Sequence, residues 1–439
     1  MIDTTPTYNL KVVLKETGLA ADTLRAWERR YRLPTPVRSA GGHRLYSQRD
    51  IGTIKWLMAR QAEGLSISRA VDLWNEQSAA GLDLLASSTP VVLTTQISPA
   101  NYPAPESSLD SLRAQWLAAC LNFSESNAEQ VLNQSFSIFP FEVVCREILQ
   151  KGLAEIGNLW YENRATVQQE HFASSLAIRR LDALLSASPS PSRDQIVLVG
   201  CPKDEWHTFT PLLLTLLLRY RGLPVIYLGA NIPVARFQET VSSIRADLVI
   251  LVAQTLTSAA NLQITALTLT DLNIPIGFGG RIFNLQPSLV DSIPGHFLGD
   301  SVDSSINEVN MVLKGKYNAN PLKPISQKYL ASLQAFTSRR AHIENTVKEL
   351  VQPLSISPED LNTAILFLGD NIAAALQLGD MEHASEEVEW LKVLLMSYQR
   401  PPQQLAEFME KYSLSVDKHI NGQGEPIKVW LSKQASRVE

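Results

Sequence analysis

Two sets of residues in this 439-residue chain have the types and spacing to do chemistry. The first centres on His207, in Asp204-Glu205-Trp206-His207-Thr208-Phe209-Thr210. A neutral imidazole is a good ligand for a metal such as cobalt, and Glu205, two residues earlier, is placed to hold the ring by its other nitrogen. The second set is basic: Leu24-Arg25-Ala26-Trp27-Glu28-Arg29-Arg30-Tyr31, then Arg38, then Gly41-Gly42-His43-Arg44-Leu45-Tyr46. Basic residues on the exposed face of a short helix can meet phosphates and base edges in a major groove. A glycine-tipped loop leaves the turn slim enough for Arg44 to approach the DNA backbone. A third pattern is Trp160, nine residues, then Glu170-His171. Alone it reads as a core tryptophan with a Glu-His pair on a helix face.

The elements that position these residues follow from periodicity. Leu10, Val13 and Leu14 form a helical stripe that Gly18 ends; Asp22 is the expected N-cap of a helix from Thr23 to Tyr31, which Pro34 and Pro36 stop. The Gly-Gly pair marks a hairpin, and a longer helical region, Ile51 to Trp74, closes the segment. Residues 1–76 are thus read as an all-α helix-turn-helix unit carrying a hairpin wing, and Pro- and Ser-bearing residues 77–106 as a linker. Residues 107–187 have few breakers and fit four helices in a bundle, with Trp160 ending one helix and Glu170 early in the next. From 194 to 315 the pattern changes. Short apolar runs (196–200, 225–229, 248–252, 274–280, 297–299) alternate with helices, which predicts a Rossmann-like α/β parallel sheet covered on both faces. His207 falls just after the first strand, at the carboxyl end where such sheets bind ligands. Residues 320–439 are a helical extension with no chemical motif.

The whole chain has a net charge of −5, yet residues 1–60 hold eleven Lys or Arg against five acids, an excess of six. That distribution suits a protein presenting one end to phosphates. No apolar run reaches about 18 residues, so no membrane span is expected. Cys120, Cys145 and Cys201 lack metal or disulfide spacing and fit a reducing cytoplasm.

The amino-terminal residues quoted above resemble the MerR family. That resemblance implies that Arg25, Arg29, Arg30, Arg38, His43, Arg44 and Tyr46 face double-stranded DNA, with Trp27 and Leu45 in the core. The Trp160-x9-Glu170-His171 pattern resembles the helical cap over cobalamin in MerR-type light-responsive repressors, where the Trp and Glu hold an adenosyl group. Glu205-x-His207-x-x-Thr210 resembles the cobalamin-binding signature. Thr255, Gly279 and Gly280 match its later residues, and Tyr227–Pro233 is similar too. The resemblance implies an adenosylcobalamin site built from Trp160, Glu170, His171, Glu205, His207, Thr255, Gly279 and Gly280, with His207 on the cobalt.

The chain departs from the pattern at three places. Thr210 stands for the usual Gly beside the corrin tail, Ala253 for the Ser that bonds the nucleotide base, and Tyr161 for a His that ligates cobalt after photolysis. These leave open another tetrapyrrole or a domain without ligand. We assign no catalytic residue. The expectation is a dimeric or tetrameric regulator on a palindromic operator, switched by cobalamin or light, with 320–439 available to a protein partner. The alternatives are a regulator acting without cofactor through protein contacts and, last, a cobalamin-dependent enzyme.

Overall fold

The computed structural model describes residues 5–62 apart from 18, 20 and 39–43, then 67, 70, 71, 74 and 75, 108–316 apart from 163, 323–351, 358–397, 401 and 403–438. The expected linker at 77–106 and the wing residues Gly41, Gly42 and His43 lie outside the described residues. The chain forms two compact units, residues 1–104 and 105–439.

In the first unit, strand β1 (Tyr8–Asn9) leads into helix α1 (Leu10–Thr17). Helix α2 (Ala21–Tyr31), strands β2 (Val37–Arg38) and β3 (Arg44–Tyr46), and helix α3 (Gln48–Ala62) follow. The hairpin pairs Arg38 with Arg44 and Val37 with Leu45. Strand β1 adds to its other edge, Tyr8 opposite Tyr46, so the unit is not all-α but carries a three-stranded sheet. Helix α2 begins at Ala21, which puts Asp22 inside the first turn and not at the cap. Val13, Leu24, Trp27, Tyr46, Ile51, Ile54 and Leu57 form the core, the inward stripes of the three helices meeting the sheet.

In the second unit, helices α4 (Leu109–Leu121) and α5 (Glu125–Ile138) come first. A long helical run follows: α6 (Phe141–Val144), a π-helical stretch Cys145–Gln150, and α7 (Lys151–Tyr161). Helix α8 (Val167–Ser186) ends this part. The parallel sheet is β4 (Val197–Gly200), β5 (Val225–Tyr227), β6 (Leu248–Val252), β7 (Ile276–Gly279) and β8 (His296–Phe297), in the order β5-β4-β6-β7-β8. Its helices are α9 (Phe209–Tyr220), α10 (Phe237–Ile244), α11 (Leu256–Leu269), α12 (Arg281–Leu285) and α13 (Val302–Leu313).

Side chains alternate across a strand, and both faces of this sheet are apolar. Val197, Val199, Leu248, Ile250 and Val252 point to one face, where α9, α13 and the amino-terminal helices of the unit share one core. Leu198, Val249 and Leu251 point to the other, toward α11. Beyond α11 on that side lie the carboxy-terminal helices α14 (Gln327–Val351), α15 (Pro358–Leu378), α16 (Ser385–Ser397), α17 (Gln403–Ile420) and α18 (Glu425–Val438), with α15 packed against α11. Phe336, Ile343, Ile372, Leu376, Met409 and Tyr412 belong to the same buried cluster as Phe278 and Leu262. The extension is therefore joined to the α/β layer through one core. Two polar ties reinforce it: Gln377 donates to Gln263 at 2.8 Å, and Gln286 donates to the carbonyl of His383 at 2.9 Å while the His383 ring meets the Gln286 amide oxygen at 3.1 Å.

Candidate functional site

In the sheet order the first strand, β4, lies between the second, β5, and the third, β6. The winding direction reverses there, and the loops leaving β4 and β6 part to open a crevice at their carboxyl ends. His207 lies on the first of these loops, and Gln254 and Thr255 lie on the second. Gly279 and Gly280 end the neighbouring strand β7.

Glu205 joins these loops. Its side chain is 1% exposed. Oε1 accepts from the His207 backbone N–H at 2.9 Å and lies 2.7 Å from His207 Nδ1. Oε2 accepts from the Gln254 backbone N–H at 2.6 Å and from the Ser258 hydroxyl at 2.7 Å. Burial opposes the charge on Glu205, but the His207 and Ser258 bonds outweigh it and hold the carboxyl below its usual range. The same bond raises the His207 pKa against the effect of desolvation. With Nδ1 carrying the proton toward Glu205, the neutral ring keeps the Nε2 lone pair for a ligand, and the His207 side chain is 67% exposed.

Three further predicted residues complete this edge. Thr255 caps α11, its hydroxyl accepting from the Ser258 N–H at 3.2 Å. Gly280 has φ 126°, and a Cβ there would come within 1.9 Å of the Ala253 carbonyl oxygen. A Cβ at Gly279 would meet nothing within 4 Å, so its backbone borders open space. Gln254 ties the edge together, since its side-chain oxygen accepts from the Arg281 N–H at 3.0 Å. Glu170 stands in the first turn of α8, below a Thr166–Gln169 capping box, and its charge acts on the His207 ring. The Glu205 bond is the main cause of the raised His207 pKa, and the charge of Glu170 adds to it in the same direction. Trp160 lies half-buried at the end of α7 with its ring 5.0 Å from that of Tyr161, and His171 is exposed on α8.

In the first unit Arg25, Arg29 and Arg30 are exposed along α2, Arg30 lying over the Tyr31 ring at 5.4 Å. Arg38 opposes Arg44 across the hairpin. His43 is outside the described residues. Arg44 Nε donates to Glu28 Oε2 at 2.8 Å, and the Tyr46 hydroxyl donates to Glu28 Oε1 at 2.5 Å. This corrects the placement of Tyr46. It is wholly buried, while Leu45 beside it is only half-buried, because alternation along β3 turns Tyr46 inward. Its ring cannot face DNA; it braces Arg44 through Glu28.

Sequence reasoning missed Glu28, Gln254 and Ser258. For Glu28 a signal existed: it follows the inward Leu24 by four residues, so it shares the buried face of α2 although its neighbours are basic. Nothing in the order of residues marks Gln254 or Ser258 as partners of Glu205, which lies about 50 positions away.

Residues 8–77 match the family model of the MerR HTH family regulatory proteins. The amino-terminal domain belongs to the MerR helix-turn-helix family. Residues 112–185, upstream of the sheet, match the B12 binding domain model. The chain is 28% identical over 293 residues to the HTH-type transcriptional repressor CarH of Myxococcus xanthus, an alignment covering 66% of this chain and 94% of the relative. It is 29% identical over 249 residues to the repressor CarA of the same organism, covering 56% of this chain and 76% of that one. A solved monomethylamine corrinoid protein of Methanosarcina barkeri aligns with 12% identity and a TM-score of 0.42 over 46% of this chain and 100% of that chain.

The donor set suits a B12-type cobalt. His207 offers an exposed side chain with its tautomer fixed from behind by Glu205, and the Gly279 backbone at the end of β7 borders open space.

Proposed function

We propose that this protein is a transcriptional regulator that binds duplex DNA through its MerR-type domain and is controlled by a cobalamin-type corrinoid held at His207. The observation that carries this reading is the Glu205-fixed imidazole at the switch point of the sheet, in the same chain as a basic helix and hairpin. In this reading α1 and α2 are the helix-turn-helix and the β2–β3 hairpin is the wing. Arg25, Arg29, Arg30 and Arg44 meet DNA phosphates and base edges, with Arg38 and His43 on the wing. The four helices of residues 107–187 cap the site. His207 would hold the cobalt, and Trp160, Glu170 and His171 of the bundle would hold the remainder of the ligand, which we take to be the adenosyl form. When bound, the corrinoid would supply a cobalt able to exchange ligands.

The residues of this chain supply the rest. Glu205 keeps His207 in one tautomer, and Gln254 couples that loop to the start of α12. Through these bonds the packing of bundle and sheet would depend on whether His207 is ligated. Self-association, and so the pairing of DNA half-sites on a palindromic operator, would shift only by the difference in affinity between the two arrangements. Regulation of this kind places the protein with DNA in the cytoplasm. The named relatives are repressors, so the chain is read as a regulator and not an enzyme.

The test is direct. Purified protein is titrated with adenosylcobalamin, in the dark and after illumination, while the absorption spectrum, the oligomeric mass and operator mobility are followed. Corrin bands that change on binding, with a change in mass and DNA affinity, are the expected result. A spectrum showing only the protein band at 280 nm after dialysis would defeat the cofactor half of the proposal.

A further inference from the structure

The bonds that fix His207 do not stop at the rim of the site. Glu205 meets the His207 ring through one oxygen, at 2.7 Å, and holds the Gln254 backbone N–H through the other, at 2.6 Å. The Gln254 side-chain oxygen accepts from the N–H of Arg281, the first residue of α12, at 3.0 Å. That helix is five residues long, and just past it the Gln286 N–H donates to the Ile282 carbonyl at 2.9 Å. Gln286 then meets the carboxy-terminal extension. Its amide donates to the His383 carbonyl at 2.9 Å, and its amide oxygen lies 3.1 Å from His383 Nδ1. His383 belongs to the turn Met381–Ala384, which runs directly into α16. Hydrogen bonds and one short helix therefore join the candidate cobalt ligand to the extension.

This line is stiff. Gln286 and His383 are both buried, so water does not compete for the two bonds between them, and losing either bond strands a buried polar group. Burial also lowers the His383 pKa, which keeps the ring neutral with Nδ1–H donating to the Gln286 oxygen. Ile282 and Phe283 of α12 bed into the same buried cluster as Met381, Ala384 and Val388 of the extension. A charge spans the same gap. Burial raises the pKa of Glu387 on α16 and the Arg281 charge works against that rise, while the same Arg281 charge acts on the His207 ring.

We propose that the carboxy-terminal extension reads the state of the ligand site: ligation of His207 is passed through Glu205, Gln254 and α12 to the Gln286–His383 pair, and so to α16. The proposal rests on the corrinoid reading of His207. A path of bonds becomes a relay only if it carries coupling energy, and coupling is reciprocal, so breaking the far end must weaken the ligand. Full-length protein is titrated with hydroxocobalamin while the corrin bands are followed, and amide hydrogen exchange is compared with and without it. Exchange in residues 381–397 is expected to slow about fivefold on loading. Gln286→Met, which removes both bonds to His383, should weaken corrinoid binding about fivefold and abolish that slowing. His383→Leu added to Gln286→Met should cost little more, because the two residues act as one pair. The exchange measurement uses the unmodified chain, so it decides the matter even where a variant does not fold. Slowing confined to residues before 287, or Gln286→Met binding within about twofold of the unmodified protein, would overturn the relay and leave the site at His207 standing. Corrin bands unmoved by the unmodified protein would overturn both.

Discussion

Among the described residues, each unit has a carboxylate that gathers donors from other elements, Glu28 in the first and Glu205 in the second, and the two differ in kind. Glu28 sits on a helix and takes two long side chains from a hairpin, Arg44 and Tyr46, with its own side chain 10% exposed and Arg44 35% exposed. Glu205 sits on a loop, is 1% exposed, and takes a ring nitrogen, two backbone N–H groups and a hydroxyl. The first arrangement leaves a cation partly in water, available to an outside anion. The second spends every oxygen lone pair inside and presents only what lies behind the bond, the far nitrogen of His207. A carboxylate that steadies an exposed cation can remain at a surface. One that fixes the tautomer of an imidazole is more effective where water cannot compete.

The contrast predicts a ranked set of effects. Glu205→Ala should be the most damaging change. It strands four donors, costs about 3 kcal/mol of stability, and frees the His207 ring, so denaturant melts and corrinoid titrations should both show it. A Glu205→Ala protein that kept full stability and ligand affinity would break the comparison. The pH dependence has a definite sign. The Glu205 carboxyl is held below its usual 4.5, so its contribution is complete above that value and is lost as pH falls through the lower, folded-state value. Melts of the unmodified protein between neutral and strongly acidic pH, repeated on Glu205→Gln, should show this acid dependence weakened in the variant.

Glu28→Gln comes next. It removes the charge that Arg44 and Tyr46 share and should cost about 1–2 kcal/mol, with weaker operator binding in a mobility assay even though an acid has been removed from a basic face. Tighter binding would mean that Glu28 only repels DNA. Arg44→Ala should lower affinity for all sequences and reduce the slope of log affinity against log salt by about 1. The smallest effect is Tyr46→Phe, which keeps the buried ring and removes one donor. A stability loss of about 1 kcal/mol with an unchanged salt slope would separate bracing from DNA contact.

Much of this was legible in the sequence, for identifiable reasons. The strand Leu248–Val252 is visible as an unbroken apolar run because both faces of the sheet are covered. His207 could be placed just beyond a strand because the apolar run 196–200 precedes it, and Glu205 as its partner because it precedes His207 by two. Strand β1, two residues long, leaves no periodic trace. Which of Leu45 and Tyr46 points inward depends on register, and one residue of slip exchanges them. The partners of Glu205 come from a different strand–helix connection, and no local spacing encodes that meeting. The same holds for the carboxy-terminal helices, whose amphipathic pattern shows that they bury a face without showing which surface receives it.

That last surface has a practical consequence. A shortened protein ending near residue 315 would leave bare the side of α11 that packs against α15. An apolar flank of that extent invites chains to stick together. Sedimentation or light scattering on such a fragment would then report clumping of the cut face and not the assembly of the intact regulator.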